Sequence, residues 1–350
     1  MLSFIDQISH FKKYAEILSK TYKLNLHTSW KSADYERYSR KSRNVILNSL
    51  QVEILRTTFS NCISPKRGGA IFIQNTYSTL QLLNSGFYNC HSHFTNGALF
   101  FAGRECLTRY NCYDNCTGRS KGNLVSQAFL LKSTPSYYNV INYTTITSCS
   151  PFQCRGSDTP SLIYKGNILY YNCNSSCNHI NNKACGISLI ESDGKSVVKF
   201  NDFYNNTGVY VFDYANCISS RYICNCNFIQ NEIDTKGSIL LLREVFLYIY
   251  KAIFAGNSGK LIFSVIVGDY SLDSCVVDFP MDHLAIPKNV AIKDCKFGAS
   301  HISFNSISSM PNIFCWNDCG NNENCIRNIA KHNFKDFSHY IENESDENED

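Results

Sequence analysis

What these 350 residues have little of narrows the reading first. Charged residues make up only 18%, and the Lys and Arg residues are scattered. The net charge of +4 therefore marks neither a nucleic-acid groove nor a polybasic membrane patch, and the charges read as solvated surface. No stretch reaches 18 apolar residues. The best candidate, Ile239 to Phe254, is broken by Arg243, Glu244 and Lys251, so no membrane span is expected within the chain. Met1 to Leu18 carries Asp6, Lys12, Lys13 and Glu16 where a secretory leader needs an apolar core, so no signal peptide is expected from that segment. No window after about residue 50 reads as a long soluble helical bundle. Glycine-rich phosphate loops, nucleophile elbows and the Gly-His-Gly and Asp-Asp signatures of pectin hydrolases are also missing.

What is abundant is aromatic and thiol. Phe and Tyr number 23 and 22, and hydrophobic residues 44%, which favours an ordered β-rich chain. Eighteen cysteines are a heavy load for a reducing compartment, yet no leader for an oxidising one is read, so disulfides and buried free thiols both stay open.

Internal repeats decide the fold class. One motif is an aromatic residue followed by x-Asn and then Cys or Asn. It reads Phe59-Ser-Asn-Cys62, Phe87-Tyr-Asn-Cys90, Tyr113-Asp-Asn-Cys116, Tyr170-Tyr-Asn-Cys173 and Phe203-Tyr-Asn-Asn206. Weaker copies are Phe228-Ile-Gln-Asn231 and Phe254-Ala-Gly-Asn257, with Ile146-Thr-Ser-Cys149 filling the one wide gap. The last positions step by 24 to 33 residues, a repeat-array period. The second motif is a small residue opening a short apolar run: Gly68 to Ile73, Asn96 to Phe101, Cys185 to Ile190, Gly237 to Leu242 and Gly259 to Phe263. These runs are too short for helices and read as strands bounded by Gly, Asn and Ser.

Strands recurring once per short coil give each strand a parallel neighbour above and below, so the expected fold is an all-β, right-handed parallel β-helix solenoid. Equivalent positions then stack about 4.8 Å apart. Aromatics form an internal ladder, inward Asn pairs bent backbone, and Cys substitutes as a small buried group. Four segments follow. Residues 1–50 are an N-terminal cap or leader, with Phe4, Ile8, Phe11, Ala15 and Leu18 near one helical face. Residues 51–312 are the β-helix, its period shortening to the twenty residues between Cys275 and Cys295. Residues 313–340, with Cys315, Cys319 and Cys325, form a cysteine-rich C-terminal cap, and 341–350 an acidic disordered tail.

Alternating GGA-(Ile/Leu/Val) and Phe-x-x-Asn tetrapeptides mark the polymorphic outer-membrane-protein repeat of chlamydial surface proteins and similar repeats in trichomonad-type protist surface proteins. The chain resembles that family over roughly residues 52 to 300, most closely at Gly68-Gly-Ala-Ile71, Asn96-Gly-Ala-Leu99, Phe203-Tyr-Asn-Asn206, Phe228-Ile-Gln-Asn231 and Phe254-Ala-Gly-Asn257. The resemblance implies a β-helical passenger on a cell surface, acting in adhesion or antigenic display. Chlamydial members also carry a secretion signal and a C-terminal membrane β-barrel, neither of which is read here.

Candidate chemistry is sparse. Cys112 and Cys116, Cys173 and Cys177, Cys224 and Cys226, and Cys315, Cys319 and Cys325 are spaced as zinc clusters sometimes are, but none pairs with a second cluster, so no metal or cofactor is expected. Asp269, Asp273, Asp278, Asp282 and His283 invite a carbohydrate-active site, but read better as turn residues between tapering coils. His179, beside Cys177 and Asn178, reads as a loop residue. Of the Asn-x-Ser/Thr sequons at Asn115, Asn142, Asn174, Asn205 and Asn343, Asn142 and Asn174 are the expected glycan acceptors, because the motif Asn residues 115 and 205 are expected to point inward. The function expected is a non-enzymatic, adhesin-like surface scaffold, monomeric, contacting a host or extracellular protein or glycan and no nucleic acid. The alternatives are a pectate-lyase-like carbohydrate-active enzyme and an intracellular structural or degenerate paralogue without binding activity.

Overall fold

The computed structural model describes residues 51–298 apart from 66, 121–122, 126–127, 150–158, 194–195, 218–219, 260 and 284–289. The expected caps at 1–50 and 313–340 and the tail at 341–350 lie outside the described residues, as do Cys315, Cys319, Cys325 and Asn343.

The chain winds as a parallel β-helix with three strand ladders, here named faces I, II and III in chain order. The first coil supplies Gln51–Leu55 to face I, Thr58–Ser60 to face II and Ile71–Gln74 to face III. Each strand pairs in parallel with its equivalent in the next coil: Gln51 with Thr79, Thr58 with Gly86, Ile71 with Leu99. Eight coils carry all three faces, and two more, at Ala291–Lys293 and just before it, add only faces I and II among the described residues. Face II alone is a sheet of ten strands. Faces I and III merge into one larger sheet because Ser161–Tyr171, Glu232–Tyr250 and Leu261–Asp273 run around the corner between them unbroken. Among the described residues the one antiparallel pairing is a hairpin, Gly118–Ser120 with Asn123–Val125, inserted between faces II and III of the third coil. Apart from a 3-10 turn at Met281–His283, no helix occurs among the described residues.

The corners explain the motifs. Between faces I and II every coil turns on two residues. The first has positive φ: Arg56, Asn84, Tyr110, Tyr143, Asn172, Phe200, Asn225, Lys251, Ser274 and Asp294. The second faces the core, as in Thr57, Ser85, Asn111, Thr144, Cys173, Asn201, Cys226, Ala252 and Cys275. The exit from face II repeats the device, with positive φ at Asn61, Asn89, Asn115, Ser148, Cys177, Asn205, Gln230 and Gly256. An inward row follows: Cys62, Cys90, Cys116, Cys149, Asn178, Asn206, Asn231 and Asn257. Asn recurs before the last motif position because short polar side chains tolerate this left-handed conformation. Its side chain therefore points outward, not inward as the sequence suggested; Asn61, Asn89 and Asn205 are exposed.

The two corners share one local pattern, and this corrects the repeat alignment. Tyr170 pairs with Ile141 and Val198 on face I, so Cys173 belongs to the corner between faces I and II. The true fifth member of the face II row is Ser175-Ser-Cys-Asn178, since Ser175 pairs with Ile146 and Phe203. With Asn178 in place of Cys173, the steps of 24 and 33 residues on either side become 29 and 28.

The second motif opens face III. Gly68 and Asn96 take φ of 68° and 73°. At the next position a Cβ on Gly69 would lie 2.0 Å from the Gly97 carbonyl oxygen, and one on Gly97 would lie 2.2 Å from the Thr117 nitrogen, so glycine is required by the close approach of the next coil. Inward residues fill one continuous core. Rings stack coil on coil along face II, Phe59 on Phe87 on Tyr113 and Phe203 on Phe228 on Phe254, with centroids 4.7–4.9 Å apart. Each such pair adds about 1 kcal/mol beyond the area it buries. Ile146 and Ser175 interrupt the ladder between the two stacks.

Candidate functional site

The inward polar rows come first because they hold the reactive groups. At each corner an amide nitrogen turns into the core and needs an acceptor. Asn side chains of the next coil supply it: Cys149 N donates to Asn178 Oδ1 at 3.0 Å, Asn178 N to Asn206 at 3.1 Å, Asn206 N to Asn231 at 3.1 Å and Asn231 N to Asn257 at 3.0 Å. Their Nδ2 groups donate back to the carbonyls of Ile146, Ser175, Phe203 and Phe228. Cysteine takes over that second bond in the earlier coils, where Cys90, Cys116 and Cys149 Sγ donate to the Phe59, Phe87 and Tyr113 carbonyls. Burial pushes the thiol pKa up at Cys106, Cys116, Cys173 and Cys185, and up to about 12 at Cys226 and Cys275, so these groups stay protonated.

The fold also splits the cysteine pairs that sequence spacing brought together. Cys173 faces the core at the first corner while Cys177 is a positive-φ residue at the second. Cys224 lies on the outer row of face I and Cys226 on the inner corner row. Cys112 is disulfide-bonded to a partner outside the described residues, and thirteen other described cysteines are free. Among the described residues no group of three or more His, Cys, Asp and Glu side chains is placed to hold a metal ion.

The acids are equally dispersed. Asp269 and Asp273 lie on face I beside Phe246 and Tyr250 of the preceding coil. Asp273 is engaged by the Lys293 ammonium at 3.7 Å. Asp278 leaves face II and accepts from the Gly256 amide, and Asp282 is exposed on the 3-10 turn with His283. Asp269 and Asp273 stand four residues apart on one strand, about 13 Å at roughly 3.3 Å per residue, beyond the separation a glycosidase pair uses. His179 is half-buried at the exit from face II, where desolvation lowers its pKa against a smaller opposing pull from Glu232.

Two polar groupings were not legible in the sequence. Asp213, 4% exposed on the outer side of face III, accepts from Ser188 Oγ at 3.0 Å and from both arms of Arg243 at 3.1 and 2.6 Å. Three successive coils are thereby fastened on their outer surface, and the carboxylate is fully engaged. Arg221, 1% exposed, faces the core and donates Nε to Ser192 Oγ at 2.7 Å and further hydrogens to the Ser192 and Ser220 carbonyls. Neither residue sits in a recurring motif, so periodicity gave no sign of them.

The sequons are reordered. Asn142 is only 1% exposed, and Asn174 is half-buried with its Oδ1 unpaired. Asn205 is exposed on the outward corner, while Asn115 on the same row is half-buried and donates Nδ2 to Asn89 Oδ1 at 2.7 Å, so the most accessible described acceptor is Asn205.

One outer region stands apart. Along face I of the seventh and eighth coils, Tyr222, Phe246, Tyr248 and Tyr250 are exposed by 39–48%, and Ile266 and Val267, 65% and 55% exposed, precede Asp269 on the strand that pairs with Phe246. Tyr222 and Tyr248 stack at 5.3 Å, and the Lys251 ammonium lies 4.9 Å from the Tyr250 ring centroid. The next coil borders this patch with Asp269, Ser271 and Asp273. An apolar patch with a polar rim is the signature of a contact surface. No helix among the described residues is long and apolar enough to cross a membrane. No family model, curated protein or solved structure matches the chain.

Proposed function

We propose that this β-helix is a non-catalytic scaffold displayed on a cell surface, with the aromatic patch on face I of the seventh and eighth coils as its contact surface for an extracellular protein. The patch carries the reading: among the described residues it is the place where large apolar side chains accumulate outward, and alternation along residues 245–250 sets Phe246, Tyr248 and Tyr250 on one side. Stacking of Tyr222 on Tyr248 already occupies one ring face of each, and clustered tyrosines with a polar border suit a protein partner. Dispersed carboxylates, one of them held by a lysine and another fully engaged by Arg243, favour the scaffold over a pectate-lyase-like enzyme. The resemblance to the polymorphic outer-membrane-protein repeat supports surface display.

The test pairs two measurements. Antibody staining of intact and permeabilised source cells is expected to give signal on intact cells; signal only after permeabilisation would sink surface display and leave an intracellular paralogue. Purified chain is expected to bind the surfaces those cells contact, and Tyr222→Ser/Phe246→Ser/Tyr248→Ser is expected to lose at least tenfold in affinity. Undiminished binding by a folded triple variant would rule out this face.

A further inference from the structure

We propose that the first two and the last two described coils of the solenoid each carry a disulfide-forming staple, Cys62 with Cys90 and Cys275 with Cys295, that closes in the folded protein when glutathione disulfide is supplied. Register places the partners. Ser60 pairs with Tyr88 and Ile63 with His91, so Cys62 sits directly over Cys90. Asp273 pairs with Lys293 and Val276 with Lys296, so Cys275 sits directly over Cys295, and the Cys275 amide donates to Cys295 Sγ at 3.4 Å. In-register positions of adjacent parallel strands lie about 4.8 Å apart at Cα, inside the roughly 4.4–6.8 Å that a disulfide spans.

Accessibility selects these pairs from the other thiols. Each end pair joins one half-buried cysteine, Cys62 or Cys295, to one buried cysteine, Cys90 or Cys275. Cys116 and Cys149 are also in register but both are buried, so no reagent reaches a first thiol there. Cys177 and Cys224 are half-buried but have no cysteine in register: Cys177 lies between Ser148 and Asn205, and Cys224 between Lys199 and Tyr250. Cys90 touches both Cys62 and Cys116, but a bond to Cys62 removes it from the row.

The chemistry balances. The accessible Cys62 sulfur, giving up its proton to solvent as it attacks, bonds to one sulfur of glutathione disulfide and expels one glutathione thiolate. The Cys90 thiolate then attacks the Cys62 sulfur and expels the second. Two protein thiols lose two electrons and two protons, and one glutathione disulfide becomes two glutathione thiols. Cys295 and Cys275 follow the same course, the buried Cys275 thiol passing its proton to the departing glutathione thiolate as it attacks. The terminal coils gain most, because each has a neighbour on one side only among the described residues. The inference concerns the folded chain itself and stands whether or not the protein is displayed on a surface.

The test treats the purified, reduced full-length chain with glutathione disulfide, quenches with acid, alkylates, and maps non-reduced peptides by mass spectrometry. Linked peptides Cys62–Cys90 and Cys275–Cys295 are expected, with glutathione retained on Cys177 and Cys224. Glutathione persisting on Cys62 or Cys295, or a Cys90–Cys116 or Cys116–Cys149 link in their place, would overturn the proposal. Cys90→Ser is expected to strand glutathione on Cys62. Should that variant not fold, Cys62→Ser replaces it, and the Cys90 thiol is then expected to survive treatment unmodified; a glutathione adduct on Cys90 would count against the proposal.

Discussion

Asn231 serves three coils with one side chain. Its Oδ1 accepts from the Asn206 amide and side chain, while its Nδ2 donates to the Phe203 carbonyl and to Asn257 Oδ1. Asn231→Ala leaves a buried backbone amide without an acceptor and is expected to cost about 3 kcal/mol in denaturant unfolding. Asn231→Cys keeps the donor to the Phe203 carbonyl, as Cys90 does to Phe59, and is expected to cost about half as much. Asp202 makes the opposite case. It lies in register between Asn174 and Asn227, accepts from Asn227 Nδ2 at 2.7 Å, and has its pKa raised by burial, with the Asn227 bond opposing. A carboxyl whose folded pKa is raised contributes stability below its unfolded pKa, and that contribution is lost as pH rises through the folded value. Asp202→Asn is therefore expected to raise the urea midpoint at neutral pH, with the difference vanishing in acid below the ordinary carboxylate range. An equal gain at both pH values would show that the carboxylate charge is not the cause.

A corner is the smallest repeating element, and its first residue bears the conformational strain. The row leaving face II uses Asn at four of its eight positions and Gly at another, but Gln230 at φ 52° has a longer side chain with no local hydrogen bond to favour the left-handed region. Gln230→Asn is expected to stabilise by about 0.5 kcal/mol, read as a rise in thermal midpoint; no change would mean that the corner is relaxed with Gln. The corners also bear on legibility. The sequence showed two recurring tags, and both fall where the backbone makes an unusual demand: positive φ, close approach, or an unpaired amide. Face I had no tag. Its inward residues, such as Val52, Ile54, Leu80 and Leu82, are ordinary strand residues that any β-sheet would accept. Likewise Tyr170-Tyr-Asn-Cys173 and Ser175-Ser-Cys-Asn178 cannot be told apart by corner chemistry, because both corners ask for the same pair of residues.

Across the described coils stability is a sum of coil-to-coil terms, so the outermost described coils should open first. Amide hydrogen exchange is expected to be fastest in Gln51–Leu55, Ala291–Lys293 and Lys296–Phe297 and slowest around Ser161–Tyr171 and Thr207–Ala215, which have neighbours on both sides. Uniform protection along the described coils would contradict a nearest-neighbour array. By itself the sequence determined the parallel β-helix, its approximate period and seven of the eight members of the inward row that ends the aromatic motif, all but Asn178, because stacking forces the same local demand on every coil and so writes itself as a repeat. Only the tertiary structure decided what happens once: the outward turn of Asn115 and Asn205, the burial of Asn142 and Arg221, the fastening of Asp213 by Arg243, and the gathering of Tyr222, Phe246 and Tyr248 on one face. Those features depend on which side of a strand a residue takes and what the next coil sets beside it, and a pairing used once leaves no period to read.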